Sequence, residues 1–403
     1  MFHHIIFRQG GFFLNTNFDQ VVERKGTNSV KWDLNDKVYG SSDILPMWVA
    51  DMDFKAPEVV VDAIRKQLEH GVFGYTTVPD STRDAVISWV NKRHNWKLKP
   101  EWISYSSGVV TAMSSVIQAL TQPGDKIVVQ TPIYPPFFQL IERNKRELIT
   151  SENKLVNDTY KMDFDDLEQK LTKDVKVFML CNPHNPGGKV WSKEDLQKLG
   201  EICLKNDILI LSDDIHSDLI IGKKPYTPIA SLSSELANQT ITFIAPTKTF
   251  NIAGLQASAI ITPNKNLKVK VDNFQSAQGF FTLNTMGIIG MEAAYSKGEP
   301  WFNNLLSYLK NNLQQLEAFL EEKLPKIKLI KPDATYLAWL DLRALELSDE
   351  EIKKLLVEKG KLGLEPGPKY GKGGEGFVRI NLGCPRETLE EGLRRLTRAF
   401  GDL

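Results

Sequence analysis

The sequence predicts an α/β fold, with a mostly parallel sheet in a large domain and a smaller α+β domain beside it. Three observations carry this. At 403 residues the chain exceeds one ordinary core, so a large unit plus a smaller one is expected. Short continuous apolar runs at 126–130, 175–180, 208–211 and 240–245 alternate with helical patterns, as strands covered on both faces do. Each of these runs ends in a polar segment, and in open parallel sheets ligands bind outside the carboxyl ends of the strands. The expected boundaries are a loose extension over 1–17, a segment over 18–60 that joins the small domain, a large domain over 61–297 and the small domain over 298–403.

Composition narrows the partners. Lys plus Arg equal Asp plus Glu at 50 each, which gives no electrostatic reason to expect nucleic acid or an anionic membrane surface. Cys181, Cys203 and Cys384 are sparse and odd in number, so free thiols in a reducing, cytoplasmic compartment are expected. Residues 1–14 are interrupted by His3, His4, Arg8 and Gly10-Gly11 and lack the unbroken apolar run of a signal peptide or membrane span.

Taken in order, 18–33 is polar and irregular. Leu45-Pro46-Met47-Trp48-Val49-Ala50-Asp51-Met52-Asp53-Phe54 is densely apolar around two carboxylates, and Asp53, shortly before Pro57, suits a helix cap. Val60, Ala63, Ile64 and Leu68 predict a helix over 57–70 that Gly71 ends. A turn at 73–76 and a helix over 81–91 follow. A strand at 103–106 leads through Ser107-Gly108 into a helix over 109–120, with Ala112, Met113, Val116, Ile117 and Leu120 on one face. Such a helix start exposes backbone N–H groups and can bind an anion, although no GxGxxG pattern marks it for phosphate.

The four apolar runs then end in Thr131-Pro132-Ile133-Tyr134, in Cys181-Asn182-Pro183-His184-Asn185-Pro186, in Ser212-Asp213-Asp214-Ile215-His216, and in Ala245-Pro246-Thr247-Lys248. A helix is expected over 192–205. The rule for parallel sheets puts Tyr134, Asn185, Asp213 and Lys248 on one rim. Lys248 has two readings: a solvated loop lysine, or a desolvated amine able to lose its proton and attack a carbonyl. Further on, the leucine spacing predicts a long helix over 301–324. Strands are expected at 327–330, 336–340 and 376–381, and helices at 348–359 and 387–400. No helix directly follows the glycines of 371–376, so that stretch reads as a loop and not a phosphate cradle.

Gly74-Tyr75, Gly108-Val109-Val110, the Tyr134 segment, Asn182-Pro183-His184-Asn185-Pro186, Asp213-Asp214-Ile215-His216, Lys248 and Arg379-Ile380-Asn381 occur in one order. Jointly they resemble the fold-type I pyridoxal 5′-phosphate (PLP) enzymes of the class I/II aminotransferase superfamily, over nearly everything from Phe18 onward. The segments 45–54, 335–341 and 377–386 resemble the aminotransferase-like cystathionine β-lyases, which are carbon–sulfur lyases. The resemblance implies the fold-type I transferase fold, PLP as cofactor and no metal.

Residue by residue, the resemblance makes Lys248 the catalytic lysine that binds PLP covalently. Asp213 becomes the partner of the pyridine nitrogen, Asn185 the donor to O3′ and Tyr134 the ring that stacks. Gly108 and Val109 are implied to offer backbone N–H groups to the phosphate, and Tyr75 to reach the phosphate of a neighbouring subunit, which makes the active unit a homodimer with shared sites. Arg379 would clamp the substrate carboxylate, with Ala50 on the substrate side. His216 stands where many relatives have a tyrosine near O3′. Ala245 and Gln256 stand where the superfamily often has a serine and an arginine on the phosphate, and Thr247 can supply a hydroxyl.

The implied activity is β-elimination from L-cystathionine or a related sulfur amino acid, giving a thiol, pyruvate and ammonia. Transamination is the alternative, since the same residues serve both. A binding module without turnover is a third reading, which the joint presence of Lys248, Asp213 and Arg379 disfavours.

Overall fold

The computed structural model describes residues 17–403, so the extension expected over 1–17 lies, but for its last residue, outside the described residues. Seven strands form the large sheet in the spatial order Ile103–Ser106, Ser258–Ile261, Thr240–Ile244, Leu209–Asp213, Val175–Cys181, Lys126–Thr131, Glu147–Glu152. Neighbours pair in parallel from Thr240–Ile244 to Glu147–Glu152, and Ser258–Ile261 runs opposite to both strands beside it.

Helices cover both faces, which is why the strands read as continuous apolar runs. Along Val175–Cys181 the side chains of Val177, Met179 and Cys181 enter one core with Met113, Val116 and Phe137. Phe178 and Leu180 enter the other with Leu167, Leu196 and Leu199. The period of two puts successive residues on opposite faces, so the short strand feeds two cores at once.

Local signals hold at several helix ends. Glu58–His70 stops at Gly71, which takes φ 73 as the left-handed cap. Lys193–Lys205 starts on a capping box between Ser192 and Asp195. The helix expected over 81–91 is longer, Asp80–His94. Leu68, expected on the buried stripe, is exposed.

Asp53 is a correction. The helix after it has no side-chain cap. Asp53 is instead buried and accepts from Lys31 Nζ at 2.6 Å, Arg24 Nη1 at 2.7 Å and Trp32 Nε1 at 2.9 Å. The stretch read as irregular contains the short helix Val30–Asp33, followed by Asn35–Tyr39, and the first of these delivers Lys31 inward, where it is 1% exposed. A buried ammonium needs a buried carboxylate, and that demand outweighs capping.

A four-stranded antiparallel sheet follows, in the order Lys328–Ile330, Leu337–Asp341, Phe377–Asn381, Glu365–Pro366. Leu45–Pro46 pairs with Leu362–Gly363, which ties the N-terminal segment to this part of the chain. The 25-residue helix Glu299–Lys323 packs Leu305, Leu309 and Leu316 into one apolar core with Phe250, Ile252 and Val378. That core lies directly behind the lysine segment. Among the described residues no helix is long and apolar enough to cross a membrane, and the three cysteines are buried and unpaired.

Candidate active site

Four neighbouring parallel strands end on one rim, and the polar segments after them meet there. Gly108, Val109, Tyr134, Asn185, Asp213, His216, Thr247 and Lys248 line one cavity of about 200 Å³, and Ala50 lines it as well. Arg379, on Phe377–Asn381, reaches the same place and donates to Asn185 Oδ1 at 3.0 Å. Tyr75 is the exception. It is fully exposed on a stretch without regular structure and does not line the cavity.

Lys248 follows Pro246 and Thr247 in the short helix Pro246–Thr249. Burial, reinforced by the Arg379 charge, lowers its amine from the ordinary 10.5 to about 8, against the opposing pull of Asp51 and Asp213. A usable fraction is therefore uncharged near neutral pH. Its Nζ donates to the Ala50 carbonyl at 2.5 Å. Burial also pushes the Asp213 carboxyl up to about 7, although the Ile215 N–H donates to it at 3.2 Å and Lys248 opposes the shift. His216 is pushed down to about 3 by burial and by the charges of Lys248 and Arg379, so it stays neutral; its Nδ1 has no partner among the described residues.

Arg379 is 4% exposed and has no ion pair among the described residues. Its Nη1 and Nη2 donate to Asn185 Oδ1 and, at 2.8 Å, to the Trp48 carbonyl, while Nε is buried without a partner. A buried guanidinium with no counter-charge is costly and calls for an anionic ligand.

The first turn of Val109–Leu120 faces the same cavity, and Gly108 before it makes no side-chain cap, so its first N–H groups stay available. A Cβ at Gly108 would meet no atom within 4 Å, because the space beside it is the cavity. Ser107, Thr111 and Gln256 also line it; Gln256 occupies the position where relatives often carry a phosphate-binding arginine, whereas no spacing in the sequence marks Ser107 or Thr111 as an anion ligand. Ala245 is buried in the apolar core of the large sheet.

Residues 48–52, which line the cavity at Ala50, form a strap whose carbonyls are individually bound. Trp48 O takes Arg379; Val49 O and Asp51 O each take Asn381 Nδ2 at 2.6 Å; Met52 O takes Asn251 Nδ2 at 2.9 Å. Met52 N donates back to Asn251 Oδ1 at 2.9 Å. Arg24 grips Asp51 and Asp53 from outside at 2.8 and 2.7 Å.

A buried amine with a lowered proton affinity, a carboxyl without a full partner, an anion-binding helix start and an unpaired guanidinium around one cavity fit PLP together with an amino acid. No metal-ligating cluster occurs among the described residues.

A family model described as aminotransferase class I and II matches residues 42–396. Cystathionine beta-lyase PatB of Bacillus subtilis (strain 168) is 51% identical over 385 residues, covering 95% of this chain and 100% of the relative. The crystal structure of cystalysin from Treponema denticola, which contains PLP, matches with a TM-score of 0.93 at 35% identity, over 96% of this chain and 99% of that one. The PLP-bound C-S lyase of Staphylococcus hominis matches with a TM-score of 0.90 at 34% identity, over 97% and 99%.

Proposed function

Taking as premise that the chain belongs to the class I and II aminotransferase family, we propose that it acts on L-cystathionine, releasing homocysteine, pyruvate and ammonia. It is a PLP-dependent carbon–sulfur lyase of the cystathionine β-lyase kind. The observation that carries the substrate class is Arg379, a buried cation beside the cavity with no carboxylate of its own among the described residues. An α-amino acid supplies that carboxylate.

When bound, PLP supplies an electron sink next to the substrate Cα, which eases loss of the Cα proton and departure of a β-thiolate. Lys248 would hold the aldehyde carbon, and its Nζ is the base that would take the Cα proton. Asp213 would pair with the protonated ring nitrogen, which would give its carboxylate the cationic partner it otherwise lacks. Asn185 has its Oδ1 committed to Arg379, which leaves Nδ2 free to donate to O3′. Tyr134 would pack on the ring. The N–H groups at Gly108 and Val109, with the Thr247 hydroxyl, would hold the phosphate. Arg379 takes the α-carboxylate with its remaining donors, beside Ala50. His216 would contribute a neutral imidazole on the O3′ side.

Tyr75 has a role only if a second copy brings it to a cavity. Val72, Phe73, Tyr75 and Phe281 are exposed, and a homodimer would cover them. Mixing inactive Lys248→Ala chains with Tyr75→Ala chains would then regenerate one intact site per hybrid and restore about a quarter of wild-type turnover. No gain on mixing refutes shared sites. The three unpaired cysteines support a reducing, cytoplasmic setting.

The deciding experiment incubates the PLP-loaded chain with L-cystathionine and no keto acid. Free thiol and pyruvate in equal amounts are expected. Amino transfer to an added keto acid without thiol release would turn the reading to an aminotransferase.

A further inference from the structure

The Ala50 carbonyl oxygen accepts two hydrogen bonds, from Lys248 Nζ at 2.5 Å and from the Tyr336 hydroxyl at 2.8 Å. Tyr336 is 1% exposed and stands edge-on to His216, with ring centroids 6.4 Å apart. Its ring alone would fill the space in the core, so the hydroxyl is what needs an explanation.

The carbonyl is held firmly. The neighbouring carbonyls of Val49 and Asp51 are bound by Asn381, and Met52 is clamped through both its N–H and its carbonyl by Asn251. Asn251 follows Lys248 by three residues, so its bonds to Met52 and Phe54 tie the strap directly to the lysine segment. A lysine that alternates between holding an aldehyde and carrying a proton needs a fixed acceptor while it is free.

A carbonyl with a single ammonium donor stabilises the charged amine and so retains its proton. A second donor on the same oxygen draws on the same electron density and weakens that hold. We propose that Tyr336 is a positioning residue for the reaction, sharing the Ala50 carbonyl with Lys248 so that the released lysine is aimed from a fixed point yet stays a base. The inference rests on the reading of Lys248 as the proton carrier.

The other groups facing the amine are Asp51 on the strap, Asp213 at its strand end, Arg379 on Phe377–Asn381 and the neutral His216. Tyr336→Phe leaves all of them in place and keeps the ring. In the full-length, cofactor-free chain, the pH dependence of Lys248 acylation by a trace amine reagent, resolved by peptide mass spectrometry, gives the amine's midpoint. Tyr336→Phe is expected to raise it by about half a unit to one unit. In the PLP-loaded chain, kcat near pH 7 should fall about three- to tenfold with KM nearly unchanged, and recover as pH rises.

A midpoint that is unmoved or lowered overturns the proposal, as does a loss of kcat that does not recover with pH. If the phenylalanine variant does not fold, 3-fluorotyrosine placed at position 336, a stronger donor, should move the midpoint the other way; an unmoved or raised midpoint then overturns it. Failure of the wild-type chain to release thiol and pyruvate would remove the lyase reading, whereas the acylation midpoint is measured without cofactor or substrate and stands apart from it.

Discussion

Replacing Arg379 by lysine keeps the buried positive charge and removes the fork. A guanidinium has five N–H donors; here one bond goes from Nη1 to Asn185 and one from Nη2 to the Trp48 carbonyl. The unpartnered Nε and the second N–H on each Nη remain for a carboxylate, enough for a two-bond grip. An ammonium in the same place can make one contact to the carboxylate at best. The loss of one charge-assisted hydrogen bond, about 1.5–3 kcal/mol, lowers kcat/KM by about 10- to 150-fold, mostly through KM.

The assay is thiol release from L-cystathionine, set against a thioether amine of the same length without the α-carboxylate. The variant and the wild type should differ little on that analogue. Equal losses on both substrates, or a kcat/KM for cystathionine within about threefold of wild type, would refute the role of Arg379.

Lys248→Met should abolish turnover and yet stabilise the cofactor-free chain at pH 7 by about 3 kcal/mol, read by urea unfolding. The folded amine titrates near 8 and the unfolded one near 10.5, so the burial penalty is full below pH 8 and fades as pH rises to 10.5. Asp213 works in the opposite range. Its folded value of about 7 lies above the ordinary 3.8, so the cofactor-free chain should lose roughly 3–4 kcal/mol between pH 4 and pH 7 from this group, and Asp213→Asn should flatten that slope while cutting turnover. Asn251→Ala removes the contacts that clamp Met52 and Phe54 to the lysine segment; a stability loss of about 1–3 kcal/mol, with a lower kcat, is expected from denaturant and kinetic measurements.

Local patterns made much of the fold legible. The 103–106 strand and 109–120 helix were readable because burial on both faces leaves continuous apolar strands and burial on one face leaves a helical stripe. The cavity's strand-end members were readable because parallel strands put their following loops on one rim. Asp53 misled because a cap is a local inference, while its partner Lys31 arrives from a helix whose inward turn no spacing announces. Ser107 and Thr111 carry no motif, and Gln256 stands out only as a departure from one; that all three share a cavity is decided once the strand ends meet.

By itself the sequence determined the class of fold, the order of strands and motifs, and the residues around Lys248 that could serve PLP. Only the tertiary structure decided what each of them touches. Lys248 and Ala50 lie 198 residues apart, Tyr336 and Ala50 286, and Arg379 and Trp48 331. Hydrogen bonds of under 3 Å across such separations depend on how two sheets and a strap pack, and so do the desolvation that lowers the lysine and raises Asp213. Periodicity reports which side of an element is buried; it does not report the neighbour that buries it.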